Sequence, residues 1–139
     1  MKTKIILLAI TSVLIIVSCK KKQAEQSVDP RIPPDMVLKT GGNYISKDTV
    51  VQKLDTILMG VIITKTEDNL TSFNASYSLD GSTTTTTFFN HQCLSSEYTG
   101  YTTDVTYYTR NQAGSEKITL SVVDRDGNIT KKSIVLTVQ

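Results

Sequence analysis

Residues 113–138 read AGSEKITLSVVDRDGNITKKSIVLTV, and this stretch decides the fold. Ile118, Leu120 and Val122 recur at every second position with polar residues between them, the period of a strand with one buried face. Asp126-Gly127-Asn128 is turn chemistry, and Ile134, Leu136 and Val138 then resume the same alternation. Two strands joined by a tight turn, each apolar on one side, need a second layer to cover that side.

Working back along the chain, Phe73, Ala75, Tyr77 and Leu79 alternate with Asn74, Ser76, Ser78 and Asp80, and Asp80-Gly81 is a hairpin signal. Thr83 to Thr87 reads as an exposed strand with hydroxyls on both faces, and Phe88 to Glu97 is the least regular region. Strand character returns over Tyr98–Arg110, before a turn at Asn111–Gly114. Upstream, Leu54–Thr64 is the most apolar run after the leader. Ile57, Met59, Val61 and Ile63 share one face while Leu58 and Ile62 make the other apolar too, which predicts a central strand covered on both sides. Met36–Leu38 forms a short first strand, and Thr49–Val51 continues it after a break. About seven strands with no credible helix predict an all-β, antiparallel β-sandwich over residues 35–139.

The stretch at 113–138 also resembles the last two strands of PKD-type and related bacterial immunoglobulin-like domains, which implies an Ig-like sandwich. Two departures stand out: Glu116 occupies a position where that pattern has an aromatic residue, and Tyr77-Ser78-Leu79-Asp80-Gly81 lacks its tryptophan and second glycine. No binding residue is carried over from the resemblance.

The start of the chain has its own signal. Met1-Lys2-Thr3-Lys4 is basic, Ile5 to Val17 is apolar, and Ile16-Val17-Ser18-Cys19 has the form of a lipobox: aliphatic, small, then cysteine. The expectation is a lipoprotein signal peptide over 1–18, with Cys19 acylated as the first mature residue. Several acyl chains on one cysteine anchor far more firmly than one. Thirteen apolar-type residues span only ~20 Å as a helix, too short for a ~30 Å hydrocarbon core. Residues 19–34 then form the lipidated Cys19 and a polar, proline-bearing tether able to reach ~50 Å when extended. This junction resembles those of Bacteroidota lipoproteins, which implies lipid anchorage at the outer membrane. Lys20, Lys21 and Lys22 precede the only acid near the cysteine, so the periplasmic face and the cell surface both stay open.

The formal net charge is +2. Lys2 and Lys4 lie in the leader, and Lys20, Lys21, Lys22 and Arg31 outnumber Glu25 and Asp29 in the tether, so residues 35–139 are near −2. A slightly acidic domain has no electrostatic footprint for nucleic acid. With Cys19 consumed by lipid, Cys93 is left without an intrachain partner.

Candidate chemistry is sparse. Asp124, Asp126 and Asn128 could form a shallow oxygen site, but an EF-hand loop from Asp124 would end at Val135 where an acid is required. A turn whose Asp and Asn side chains bond their own backbone is preferred. His91 and Cys93 share a strand face, but such a pair would need an orienting group and an oxyanion site for which the sequence offers no recognisable motif, and one His with one free Cys cannot complete a structural zinc site. The reading is therefore non-enzymatic, with no cofactor and no metal. Tyr98, Tyr101, Tyr107 and Tyr108 supply candidate ligand contacts, since tyrosine offers flat apolar area with a polar tip. Within the Bacteroidota resemblance, Asp48-Thr49-Val50 and Asp55-Thr56-Ile57 fit a short O-glycosylation pattern, with Thr49 preferred because Thr56 borders the strand expected to be covered. The functional expectation is a lipid-anchored envelope protein whose single domain is a protein-interaction or structural module; a glycan-binding accessory module is the alternative.

Overall fold

The computed structural model describes residues 31–139. The lipobox, Cys19 and most of the tether lie outside the described residues. Eight strands follow in order: β1 (Asp35–Leu38), β2 (Thr49–Val51), β3 (Thr56–Thr64), β4 (Leu70–Leu79), β5 (Thr86–Gln92), β6 (Gly100–Tyr108), β7 (Gly114–Asp124) and β8 (Ile129–Val138), with one 3-10 turn at Ser95–Glu97. They make a three-stranded sheet ordered β1-β3-β6 and a five-stranded sheet ordered β2-β8-β7-β4-β5. The protein is an all-β, Ig-like sandwich.

The β7–β8 hairpin forms as its alternation predicts. Ile118 pairs with Ile134 in an unbroken antiparallel register from Gly114↔Val138 to Val123↔Ile129. Its apolar positions join Phe73 and Ala75 from β4, and Ile57, Met59, Val61, Ile63 and Val105 from the smaller sheet, in one buried core. The broken first strand is a sheet switch: β1 runs antiparallel to β3, whereas β2 runs parallel to β8 and closes the larger sheet. Residues 32–34, read as tether, are fastened to the domain. Thr66 donates to the carbonyls of Ile32 and Pro33, Thr130 donates to that of Pro34, and Pro34 is buried.

Three expectations are corrected. β3 is central in its sheet, but only one of its faces is covered, because no further layer lies on the small sheet among the described residues. Ile57, Met59, Val61 and Ile63 are buried while Ile62 is 45% exposed. The threonine run is not one strand. Asp80 and Gly81 both take positive φ, 51° and 76°, as a tight turn demands, yet the chain stays irregular until Thr86. Finally, the region from Phe88 read as least regular is strand as far as Gln92, and this β5 carries a bulge: Ala75 pairs with Phe89 and Ser76 with Thr87, leaving Phe88 as the extra residue. The bulge lets two consecutive aromatics turn inward, Phe88 onto Tyr107 at 5.0 Å between ring centroids and Phe89 onto Phe73 at 5.8 Å.

The one-sided burial of β3 has a direct consequence for stability. Ile63→Ala removes packed core methyls and is expected to cost about 2–4 kcal/mol, whereas Ile62→Ala stays within about 1 kcal/mol. Urea unfolding of the two variants measures the contrast, and equal losses would mean the outer face is covered after all.

Candidate functional site

Two clusters of polar chemistry hold the sandwich ends. At one end Glu116, on the inward face of β7, is fully buried. Its Oε1 accepts from the Arg110 backbone N–H at 3.1 Å and lies 3.4 Å from the Arg110 Nε. The other side of the same guanidinium clamps Asp80 through two bonds of 2.6 Å, and Asp80 also accepts from the Ser115 N–H at 2.9 Å. Arg110 and Ser115 together hold the Asp80 carboxyl well below its ordinary value, at about 2. Gly114 makes room for this: its φ is +149°, and a Cβ there would sit 1.9 Å from an Arg110 terminal nitrogen. Tyr107 packs at the same place. Burial, and then the Glu116 carboxylate, push its phenol well above the usual range.

At the other end Asp124 closes the β7–β8 turn. Its carboxylate accepts from the backbone N–H groups of Asp126 and Asn128 and from the Asn128 side-chain amide. Arg125 pairs with Asp68 and Asp126 beside it. These bonds are those of an Asx-type turn that satisfies its own backbone. They occupy the carboxylate a shallow cation site would need.

The His91–Cys93 neighbourhood is arranged around Glu97. His91 Nε2 lies 2.8 Å from Glu97 Oε2, which also accepts from the Leu94 N–H at 2.7 Å, and the imidazole stacks on Tyr101 at 4.3 Å and 4°. Burial, and then Glu97, push the Cys93 thiol above its ordinary value, the reverse of an activated thiolate.

The four candidate tyrosines do not make one platform. Tyr107 is core; Tyr101 is half-buried under His91; Tyr98 is exposed in the β5–β6 connection; Tyr108 is 70% exposed on the outer face of the small sheet. Strand alternation alone separates Tyr107 from Tyr108, so a stacking surface of all four was never available to a regular β6. The two threonine candidates also exchange places. Thr49 is half-buried where β2 pairs with β8, while Thr56 is exposed at the start of β3 because it shares the uncovered face.

That uncovered face is the feature the sequence concealed. Val37 and Ile62 are directly paired and 50% and 45% exposed, and Tyr108 stands at the far end of β6. Between them Lys39 lies across Gly60 and donates to Asp104 at 2.6 Å, and the Tyr44 hydroxyl donates to the same carboxylate at 2.9 Å. Lys39 and then Tyr44 hold the Asp104 carboxyl below its ordinary value. The result is a mixed face of aliphatic, aromatic and threonine side chains around one neutralised ion pair.

No family model matches the chain, and no curated protein matches it. Among solved structures it is similar to a Niemann-Pick type C2 protein from the Japanese carpenter ant, at 10% identity and a TM-score of 0.48, over 77% of this chain and 91% of that chain. At that distance the fold assignment rests on the two sheets themselves.

The Asp80–Arg110–Glu116 chain yields two checks. Arg110→Met leaves the Glu116 carboxylate buried without its cation and is expected to lower the melting temperature by roughly 10 °C, while adding Glu116→Leu to it restores most of the loss. Asp80 contributes stability present above the unfolded value near 3.8 and lost as pH falls through about 2. Thermal melts between pH 5 and pH 2 should therefore decline in that window, and the decline should be shallower in Asp80→Asn.

Proposed function

We propose that this is a lipid-anchored envelope protein whose Ig-like domain binds another polypeptide through the outer face of its three-stranded sheet. One observation carries the reading: Val37 and Ile62 at one end and Tyr108 at the other are exposed on a face over which no further strand of the described chain lies. Exposed aliphatic and aromatic groups are the side chains an interface buries, and tyrosine is favoured where binding energy concentrates. The lipobox at Ile16–Cys19 supports anchorage at the outer membrane through Cys19, and the tether would give the domain freedom to meet a partner fixed in the envelope. Membrane contact through the lipid needs no apolar patch on the domain itself, which leaves the face free for a protein.

The glycan reading keeps one favouring observation, and it is not the tyrosines. The outer face of the five-stranded sheet forms a shallow groove lined by Asn74, Ser76, Thr119, Ser121 and Ser133 with Lys117 and Lys131. Hydroxyls and ammonium groups there could hydrogen-bond a polar or anionic saccharide, although no aromatic ring lies in it for stacking.

Photo-activatable residues placed at Ile62, at Tyr108 and at Lys131 on the opposite face separate the two readings in cells. The interaction reading expects one dominant protein adduct from positions 62 and 108 and none from 131. Adducts confined to 131, or none at all, would count against it. In the same cells Cys19→Ala should move the protein from the membrane fraction to the soluble fraction, and its retention in membranes would remove the lipid anchor.

A further inference from the structure

The two sheets are unequal, and the inequality leaves β6 as an open edge. Tyr107 of β6 stacks on Phe88 of β5, and Tyr101 of β6 lies on Phe73 of β4 and His91 of β5. β6 therefore runs over β4 and β5, with nothing beside it on its outer side among the described residues. Phe88, Phe89, His91 and Tyr101 line that flank half-buried, where an Ig-like sandwich with one more strand would cover them.

The backbone of this edge is unpaired in a regular way. Thr109 donates to the Asp55 carbonyl and Lys65 donates to that of Thr99, so the odd-numbered residues of this segment face β3. In an antiparallel ladder the alternate residues then point both N–H and C=O away. Gly100, Thr102, Asp104, Thr106 and Tyr108 thus present a free ladder nine residues long, about 31 Å. Among the described residues only the Asp104 carbonyl within it receives a side chain, the Thr103 hydroxyl at 3.5 Å.

The usual protections are missing here and present elsewhere. β1 is four residues long and follows Pro33-Pro34, β2 is three residues long, and β5 is bulged. β6 has no proline, no lysine and no bulge, its pairing with β3 is unbroken, and its one charge is neutralised by Lys39.

We propose that β6 accepts an extended segment of a partner polypeptide as an added antiparallel strand. The occupant's chemistry follows from the geometry. A free ladder of this repeat is matched only by another extended backbone. Partner residues bonded to the even positions of β6 share their face, so they look to solvent beside Thr102 and Thr106 and are polar or β-branched. The alternate partner residues turn inward onto Phe88, Phe89 and Tyr101 and are apolar. The occupant is a strand alternating apolar and threonine-like residues. Residues 19–30 of this chain, CKKKQAEQSVDP, lack that alternation. The inference rests on the interaction reading above for a protein partner, but assigns the backbone edge where that reading uses the side-chain face.

The test uses the full chain in detergent and a labelled peptide, nine alternating valines and threonines beginning and ending with valine, flanked by lysine pairs. Fluorescence anisotropy should show saturable binding. N-methylation of the threonines should abolish it, because those amides face β6, while N-methylation of the valines should leave it largely intact. Thr106→Pro removes an outward N–H without breaking a bond to β3, so it should weaken binding at least about tenfold with melting little changed. No binding, or binding that survives methylation of the threonines, would overturn the proposal. So would a dimer in sedimentation that Thr106→Pro dissolves, since the occupant would then be a second copy. A partner adduct at positions 62 and 108 that persists in Thr106→Pro would sink the edge while leaving the interaction reading intact.

Discussion

Glu116 carries a carboxylate into the hydrocarbon core, and Arg110 is what makes that tolerable. A buried anion without a cation would be severely destabilising, and a buried pair is of little net benefit unless its remaining groups are bonded. Here Glu116 Oε2 has no hydrogen-bond partner among the described residues, but the guanidinium is fixed by the bidentate Asp80 contact, so three segments must arrive together. Those segments are the turn after β4, the β6–β7 connection and the start of β7. The connection between the two sheets is thus specified by charge geometry at one end and by the Asp124 turn at the other. The hydrophobic alternation between them supplies most of the stabilisation but would tolerate several registers; the ion chain does not. Gly114 belongs to the same constraint, since any side chain there would displace the guanidinium.

Much of this was legible in the residues. Strict alternation at Ile118–Val122 and Ile134–Val138 fixed the β7–β8 hairpin and its buried face, because a period of two leaves no choice of side. Asp124 and Asn128 were legible as turn residues for the same local reason. Glu116 stood out only as a departure from an aromatic pattern, and nothing local said that Arg110 and Asp80 would reach it. That information lies in the contacts of Asp80 with Arg110 and Ser115, across 30 and 35 positions, which no local window of sequence contains. The error at β3 has a different origin. Leu58 and Ile62 are apolar, and an apolar residue on both faces ordinarily signals two covering layers; here the second layer is absent from the described chain. Alternation marks both faces of β3 as apolar, but it carries no information on whether each is covered within one domain.

The candidate site was less legible than the fold, because it depends on what the strands leave uncovered. Tyr108 could be placed opposite Tyr107 by alternation, but which of the two faced the core required knowing where the larger sheet lay. The bulge at Phe88 is equally silent in sequence. Five threonines and two phenylalanines show no interruption of strand chemistry, yet the extra residue is what turns both rings inward, Phe88 onto Tyr107 of β6 and Phe89 onto Phe73 of β4.

An unequal sandwich has two ways to reach a stable surface: protect its spare edge or use it. Three of the four edges are protected by brevity, by proline or by a bulge, at some cost in pairing. The same devices would have been available at β6, where Thr102 and Thr106 sit at positions that accept lysine or proline without losing a bond to β3. Instead β6 has β-branched or aromatic residues at every position except Gly100 and Asp104, the chemistry that favours pairing. An edge without those devices along nine residues, beside a flank of half-buried rings, is costly to a chain that remains alone. The arrangement is consistent with a domain whose sandwich is completed in a complex.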